Sequence, residues 1–88
     1  STIGIGNLFL MFSLVNANTQ MGNFNLLCIF TSISVNCSIR NHNVLSPYSS
    51  ISKNVCIENG NLLESGEILF EDLESGCILT NGVVYAND

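Results

Sequence analysis

Charged side chains are scarce in this 88-residue sequence. They make up 10% of it, against about 25% in an ordinary soluble domain. The segment from Ser1 to Ile39 contains no Lys, Arg, Asp, Glu or His. The only basic residues are Arg40 and Lys53, all acidic residues lie from Glu58 onward, and the net charge is −5. Two isolated cations in an acidic protein do not form the basic stripe that nucleic-acid binding requires, so we predict no nucleic-acid partner.

Residues that discourage contact between proteins are also nearly absent. The sequence has one proline and one lysine, the residues that soluble β-proteins place on exposed edge strands to prevent pairing with another chain. Few charges also mean weak repulsion between copies. Contact with itself or with another surface is therefore expected. Tryptophan is absent as well, so an aromatic platform for sugar binding is poorly supplied.

Length and cysteine content predict one small domain, residues 1–88, that is stabilised by disulfides. A chain of this length buries only about 60–65% of its unfolded surface. Four cysteines with no C-x-x-C spacing favour two disulfides over a zinc site, although buried free thiols are the alternative. Three connectivities are open, and we favour one of them, Cys28–Cys77 with Cys37–Cys56. Disulfides, together with a first residue that is Ser1 and not Met, predict a processed extracellular or secreted protein.

The clearest local pattern lies in the stretch IFTSISVNCSIR, residues 29–40. Ile33, Val35, Cys37 and Ile39 are apolar and alternate with polar residues. A period of two predicts one β-strand with a buried and a wet face. We therefore expect a long strand here, with Cys37 on its buried side. Cys28 has the opposite parity, so residues 24–40 should contain either a bulge near residues 30–32 or two successive strands.

The N-terminal segments are small or apolar. Residues 1–7 alternate isoleucine with small residues, and two interpretations are open: a flexible end, or an N-terminal arm that adds as a strand to a neighbouring sheet. Residues 8–15, LFLMFSLV, are interpreted as a buried strand in preference to a helix that would be apolar on all sides. A run this short cannot form a transmembrane helix, which needs about 20 residues.

The second half predicts turns and hairpins. Residues 41–53 hold the single proline with many Ser and Asn residues and are expected to be the longest loop. Asn59-Gly60 and Asn81-Gly82 each separate two apolar runs, which is a strong hairpin signal. Together these features predict an all-β fold, a small antiparallel sandwich or barrel with a C-terminal β-meander, whose strands cover about 54–58, 61–65, 67–71, 76–80 and 83–86.

No residue pattern predicts catalysis. His42 is the only imidazole and has no acidic residue within fifteen positions on either side. The carboxylates between Glu71 and Glu74 match no calcium loop, and a solvated turn is favoured. We therefore expect no catalytic, cofactor-binding or metal-binding residues and no enzymatic activity.

Two functions fit these features. The first is a self-assembling extracellular structural protein, a filament or coat subunit, that forms a homo-oligomer or polymer through strand pairing. A membrane-active form, in which residues 8–15 insert into a membrane, belongs to the alternative given below. The predicted assembly contacts of the structural protein lie in the uncharged N-terminal region: Ile3, Ile5, Leu8, Leu10 and Phe12. The alternative is a small secreted disulfide-stapled binding module, such as a toxin, effector, inhibitor or lectin-like domain, that acts through residues 41–53.

Overall fold

A large apolar residue recurs at every sixth position from Ile3 to Leu69, and this spacing is the basis of the fold. In the computed structural model these residues end short strands, and from Met21 onward they are buried in the interior. The structure describes residues 1–86. Asp88, which ends the predicted domain, lies outside the described residues.

Twelve strands of two residues follow one another at six-residue intervals, and two four-residue strands close the chain. The strands are β1 (Thr2–Ile3), β2 (Leu8–Phe9), β3 (Leu14–Val15), β4 (Gln20–Met21), β5 (Leu26–Leu27), β6 (Ser32–Ile33), β7 (Ser38–Ile39), β8 (Val44–Leu45), β9 (Ser50–Ile51), β10 (Cys56–Ile57), β11 (Leu62–Leu63), β12 (Ile68–Leu69), β13 (Cys77–Thr80) and β14 (Val83–Ala86).

Every third strand belongs to the same sheet, so the chain winds around three faces. The first face contains β1, β4, β7 and β10, the second β2, β5, β8 and β11, and the third β3, β6, β9 and β12. Pairing is parallel and joins each strand to the strand three places further along the chain, as between Ile3 and Met21. The fold is therefore an all-β parallel β-solenoid of about four turns. We number its coils 1–18, 19–36, 37–54 and 55–72.

The interior of the solenoid is a stack of apolar side chains, one from each of the strands β1 to β12. Leu27, Ile33, Leu45, Ile57 and Leu63 have no exposed side-chain surface. Each such side chain contributes about 1.5–3 kcal/mol when it is removed from water. One continuous cluster of these residues forms the core.

The chain turns each corner at a residue with positive φ. This residue lies three positions after the inward apolar residue, and it recurs at every sixth position from Gly6 to Gly66. Most corner residues are not glycine, and they include phenylalanine, tyrosine and histidine, for which this conformation is uncommon. Their backbone N–H groups donate to the preceding coil, for example from Phe24 to the Ile5 carbonyl at 3.0 Å. The corners are thus held by hydrogen bonds between coils.

A column of buried asparagines runs inside the second face. The Asn43 side chain donates from Nδ2 to Asn25 Oδ1 at 3.1 Å and to the Glu58 carbonyl at 2.8 Å. Its Oδ1 accepts from the Asn61 N–H at 2.9 Å. The column ends at Asn61, whose Oδ1 accepts from the Cys77 N–H at 2.8 Å while its Nδ2 is buried without a partner among the described residues.

The column ends there because the register changes beyond the fourth coil. Leu63 pairs with Leu79 and Ile57 with Leu73, an offset two positions shorter than the one between the earlier coils. The chain then turns at Asn81 and Gly82, and β14 pairs with β13 in antiparallel fashion. This hairpin replaces a further parallel coil at the C-terminal end.

The predicted antiparallel sandwich or barrel was wrong. Among the described strands, the hairpin at Asn81-Gly82 is the only antiparallel pair, and its prediction is confirmed. At Asn59-Gly60 the chain turns a corner and passes to another face, because β10 and β11 pair with other strands and not with each other. The predicted C-terminal meander is therefore limited to its last hairpin.

The predicted long strand at 29–40 was also wrong, for a specific geometric reason. Inward positions in this solenoid are separated alternately by four and two positions, as at Ile33, Cys37 and Ile39. Because both spacings are even, the inward residues all have the same parity, as they would in a single continuous strand. The exception is Val35, which lies in the turn before a corner and is 43% exposed. The segment contains β6 and β7 with the Asn36 corner between them.

Two further segments differ from their predictions. Residues 8–15 contain β2 and β3, separated by the Phe12 corner, and Leu8, Met11 and Phe12 are more than half exposed where a buried strand was expected. Residues 41–53 contain β8 and β9 and are an ordinary part of the third coil. They are therefore not the longest loop, and the binding-module alternative loses the loop on which it relied.

We predict that Asn43→Ala destabilises the protein more than Asn61→Ala. Removal of the Asn43 side chain leaves the Asn61 N–H and the Glu58 carbonyl without partners and costs about 2–4 kcal/mol. Asn61→Ala leaves one N–H unpaired but also removes a buried amide group that has no partner, so its cost is about 1–2 kcal/mol. Urea unfolding monitored by circular dichroism measures both values. Equal losses would contradict the asymmetry of the asparagine column.

Candidate assembly interface

We call the N-terminal side of the first coil the open end, because no strand among residues 1–86 pairs with it. Strands β1, β2 and β3 are each the outermost strand of their sheet, and each pairs only with the strand of the second coil. At the other end, the hairpin of β13 and β14 lies beyond β11. The first coil is therefore a complete turn of β-structure with one unpaired edge.

The unpaired edge presents backbone donors and acceptors in a regular pattern. The carbonyls of Met21, Leu27 and Ile33 in the second coil accept from N–H groups of the first coil at 2.9–3.0 Å. By the same register, the carbonyls of Ile3, Phe9 and Val15 point away from the second coil. No coil lies beyond them among residues 1–86.

Corner N–H groups add three donors to this edge. In the second coil the N–H groups of Phe24, Phe30 and Asn36 donate to the first coil. The equivalent groups of the first coil belong to Gly6, Phe12 and Asn18, and they face the open end. An edge of this kind is suited to pairing with another strand.

Apolar side chains cover the same end. The inward residues Ile3, Phe9 and Val15 stack on Met21, Leu27 and Ile33 of the second coil, and their other side is uncovered. Ile3 is 50% exposed, whereas Met21 is 5% exposed. A further coil stacked on the first would therefore bury most of the exposed surface of Ile3.

All five predicted assembly contacts lie on this first coil and are exposed. Only Ile3 projects along the interior, where a further coil would cover it; Leu8 and Leu10 lie on the outward side of the second face, and Ile5 and Phe12 lie at corners. Phe9 and Val15, the other two inward residues of the open end, were not among the predicted contacts. The six-residue spacing from Ile3 identifies both.

Aromatic side chains form stacked columns at two corners. Phe12 stacks on Phe30 with ring centroids 4.9 Å apart, and Phe30 stacks on Tyr48 at 5.1 Å. At the neighbouring corner Phe24 stacks on His42 at 5.4 Å. The first column reaches the open end, where one face of the Phe12 ring is uncovered and the side chain is 67% exposed.

The third corner carries an asparagine column with a defined direction. Asn18 Nδ2 donates to Asn36 Oδ1 at 2.9 Å, and Asn36 Nδ2 donates to Asn54 Oδ1 at 2.8 Å. Each amide therefore donates away from the open end. The side chain at that end, Asn18, presents its acceptor oxygen.

Charge is distributed along the solenoid axis. The first two coils contain no charged side chain, and the carboxylates begin at Glu58 in the fourth coil. Arg40 of the third coil pairs with Glu58 at 2.6 Å, with both side chains largely exposed. The side chains of the first two coils are therefore uncharged, and the carboxylates lie toward the C-terminal end.

A shallow depression of about 310 Å³ lies on the first face. It is lined by Thr2, Gln20, Ser38 and Arg40. Gly22 also lines it, and a Cβ atom at this position would collide with the Asn41 side chain. The only charged group in its lining, Arg40, is paired with Glu58. The depression thus offers polar contacts without a concentration of reactive groups.

The described residues contain no group of three or more metal-ligating side chains. His42, the one candidate imidazole, lies at a corner and stacks on Phe24. Within the same residues no helix is long and apolar enough to cross a membrane.

All four cysteines are free thiols in the structure. Strands β8 and β11 separate the strand next to Cys28 from β13, which begins with Cys77. Three strand spacings amount to about 14 Å, too far for a disulfide. Cys37 is buried and Cys56 exposed, so the second favoured pair lies on opposite sides of the first face. Neither pair is bonded here, and disulfide formation in solution stays a prediction.

Comparison with known proteins supports the fold. No family model matches the sequence, and no curated protein matches it. Among solved structures, the chain is similar to WeeI from Acinetobacter baumannii AYE, with a TM-score of 0.64 and 13% sequence identity. The similarity covers 97% of this chain and 51% of the WeeI chain, so this chain spans about half the length of that protein. At this identity the likeness concerns the fold alone.

We predict that the cysteines differ sharply in reactivity. Cys56 is exposed and should react first with a thiol reagent in the native protein, while Cys37 and Cys77 should react only on unfolding because they are buried. Mass spectrometry of protein labelled before and after urea treatment measures the order. Fewer than four reactive thiols in unfolded, unreduced protein would instead support the predicted disulfides.

Proposed function

We propose that this protein is a self-assembling extracellular structural protein, without enzymatic activity, in which the first coil is the assembly contact. The observation that supports the proposal is the combination found at the open end. An unpaired β-edge, uncovered apolar side chains and the absence of charge occur together on the same coil. A surface with these properties is stabilised when another β-edge covers it.

The energetic gain is concentrated in the inward side chains. Full burial of an aliphatic or aromatic side chain contributes about 1.5–3 kcal/mol. Ile3, Phe9 and Val15 are positioned for such burial because they continue the stack of the core. Backbone hydrogen bonds add orientation, since each unpaired donor and acceptor of the first coil has a fixed direction.

A filament or coat needs a second contact, and the C-terminal hairpin supplies the free strand for it in this proposal. β14 is the outer strand of the second face, and its side chains Val83, Val84 and Tyr85 are about half exposed. One contact through the first coil and another through β14 would extend an assembly in two directions. The first coil remains the stronger candidate because all three of its strands are edge strands among residues 1–86.

We predict that Phe9→Glu abolishes self-association. The substitution places a carboxylate in the uncovered apolar interior of the first coil, where desolvation of an unpaired charge in a contact is costly. Val35→Glu is the matched control, because Val35 has similar exposure, 43% against 38%, but lies at a turn of the second coil. Light scattering across a dilution series measures the mass of each variant, and electron microscopy of the same samples detects ordered particles.

Each variant has a distinct expected result. The parent protein and Val35→Glu should form species larger than 9.5 kDa, whereas Phe9→Glu should be a folded monomer. Circular dichroism checks that the monomer keeps its β-structure. A parent protein that stays monomeric at all concentrations would contradict the proposed function, and so would equal association of Phe9→Glu and the parent.

A further inference from the structure

We infer that the outward side of the second face is a lateral contact, through which copies of this chain in one filament dock against copies in a neighbouring filament. This inference rests on the proposed function and adds to it a surface on the side of the solenoid. The surface does not include the edge of the first coil, and its central residues belong to the second, third and fourth coils. Its occupant is a second copy of the chain.

An unbroken row of apolar side chains crosses the outward side of the second face. The register of the six-stranded sheet places one of them on each strand, in the order Leu8, Leu26, Val44, Leu62, Ile78 and Tyr85. We call these six residues the outer ladder. The residues that follow its central members, Leu27, Leu45 and Leu63, are fully buried in the core. Because neighbouring residues of a strand point to opposite sides, the ladder lies on the outside of the sheet.

The other two faces have no such row. At the same strand position the first face has Thr2, Gln20, Ser38 and Cys56, and the third face has Leu14, Ser32, Ser50 and Ile68. A sheet with one side in water ordinarily alternates apolar inward residues with polar outward residues. The second face departs from this pattern on every strand. Contiguous apolar surfaces of this kind mark interaction sites.

The outer ladder is too small to hold two isolated copies together. Leu8 and Tyr85 at its ends are each 55% exposed, and the four members between them are partly buried by their neighbours. A stable interface buries about 800 Å² on each partner, more than six partly buried side chains supply. Single copies therefore gain little from this contact, in agreement with the monomer that is expected of Phe9→Glu.

Assembly along the axis makes the same contact effective. Copies that stack in the register of the coils continue the outer ladder from one copy to the next. Many ladders of one filament then face many ladders of its neighbour. Once one pair of copies has docked, the next pairs meet at a high effective concentration, so that weak contacts together hold the filaments.

The chemistry of the second face matches a second copy of the chain. The outer ladder has no charged side chain, and Glu64 is the only charged residue in the row beside it, which consists of Leu10, Cys28, Ser46, Glu64, Thr80 and Val83. A strongly charged partner would find almost no complementary charge on this face. An identical ladder has the same spacing of about 4.8 Å between strands, so the side chains of two facing ladders can interdigitate.

The test changes the centre of the outer ladder. Val44→Glu places a carboxylate in the lateral contact, where it would lose water without gaining a partner. Ser50→Glu is the matched control, because Ser50 is partly buried like Val44 and has the same strand position on the third face of the same coil. Electron microscopy measures the width of the filaments, and low-speed centrifugation measures the fraction of protein in bundles. The parent and Ser50→Glu should form bundles, whereas Val44→Glu should form single filaments with at least a ten-fold smaller pelleted fraction.

A second variant keeps the test valid if Val44→Glu does not fold. Leu26→Thr, Val44→Thr and Leu62→Thr together remove the apolar centre of the ladder. Threonine is β-branched and favours strands, so this triple variant should keep the fold. It should also form single filaments. Circular dichroism checks the β-structure of every variant.

The outcomes separate this inference from the proposed function. A parent protein that forms only single filaments would overturn the lateral contact and leave axial self-assembly intact, and so would a triple variant that bundles like the parent. Equal loss of bundles in Ser50→Glu would overturn the assignment to the second face. Phosphatidylcholine vesicles that bind the parent but not Val44→Glu would replace the second copy by a lipid surface. A parent protein that is monomeric at every concentration would overturn the proposed function and this inference together.

Discussion

Hydrogen bonding between successive coils is the constraint on which this structure depends. Strands of two residues cannot form a stable sheet alone, and each coil obtains its backbone partners from the coils on either side. The interior side chains stack in the same register, so the burial of one residue depends on its neighbours in the adjacent coils, as Leu45 depends on Leu27 and Leu63. Stability is thus shared along the axis, and within residues 1–86 the first and last coils have a neighbouring coil on one side only.

The two ends meet this constraint in different ways. At the C-terminal end the register shortens by two positions and an antiparallel hairpin takes the place of a further coil. The shortening leaves the Asn61 amide group buried without a partner, which is a local cost of ending the column. The first coil has no such closure among the described residues. Its exposed inward side chains and outward-pointing carbonyls are what an interior coil shows when its neighbour is removed.

Corner side chains add specificity to an otherwise uniform backbone. Aromatic residues with positive φ are uncommon, but here they stack with ring centroids 4.9 to 5.4 Å apart, and asparagines at the third corner form a hydrogen-bonded column. These columns differ from corner to corner although the backbone repeats. They therefore distinguish the three corners of the solenoid from one another.

The sequence by itself determined the β-class, the uncharged segment from Ser1 to Ile39 and the C-terminal hairpin at Asn81-Gly82. These are local properties of composition and turn chemistry. The six-residue spacing of apolar residues is also a property of the sequence, and it matches the solenoid. However, the inward positions are separated alternately by four and two positions, which gives them the parity of an ordinary strand. Ile33, Cys37 and Ile39 therefore fitted the wrong fold equally well. Tertiary structure alone decided that each strand pairs in parallel with the strand one coil away, that Asn59-Gly60 is a corner and that Phe9 and Val15 share the open end with Ile3. Parallel pairing joins residues distant in sequence, and no local pattern states which distant strand supplies the hydrogen bonds.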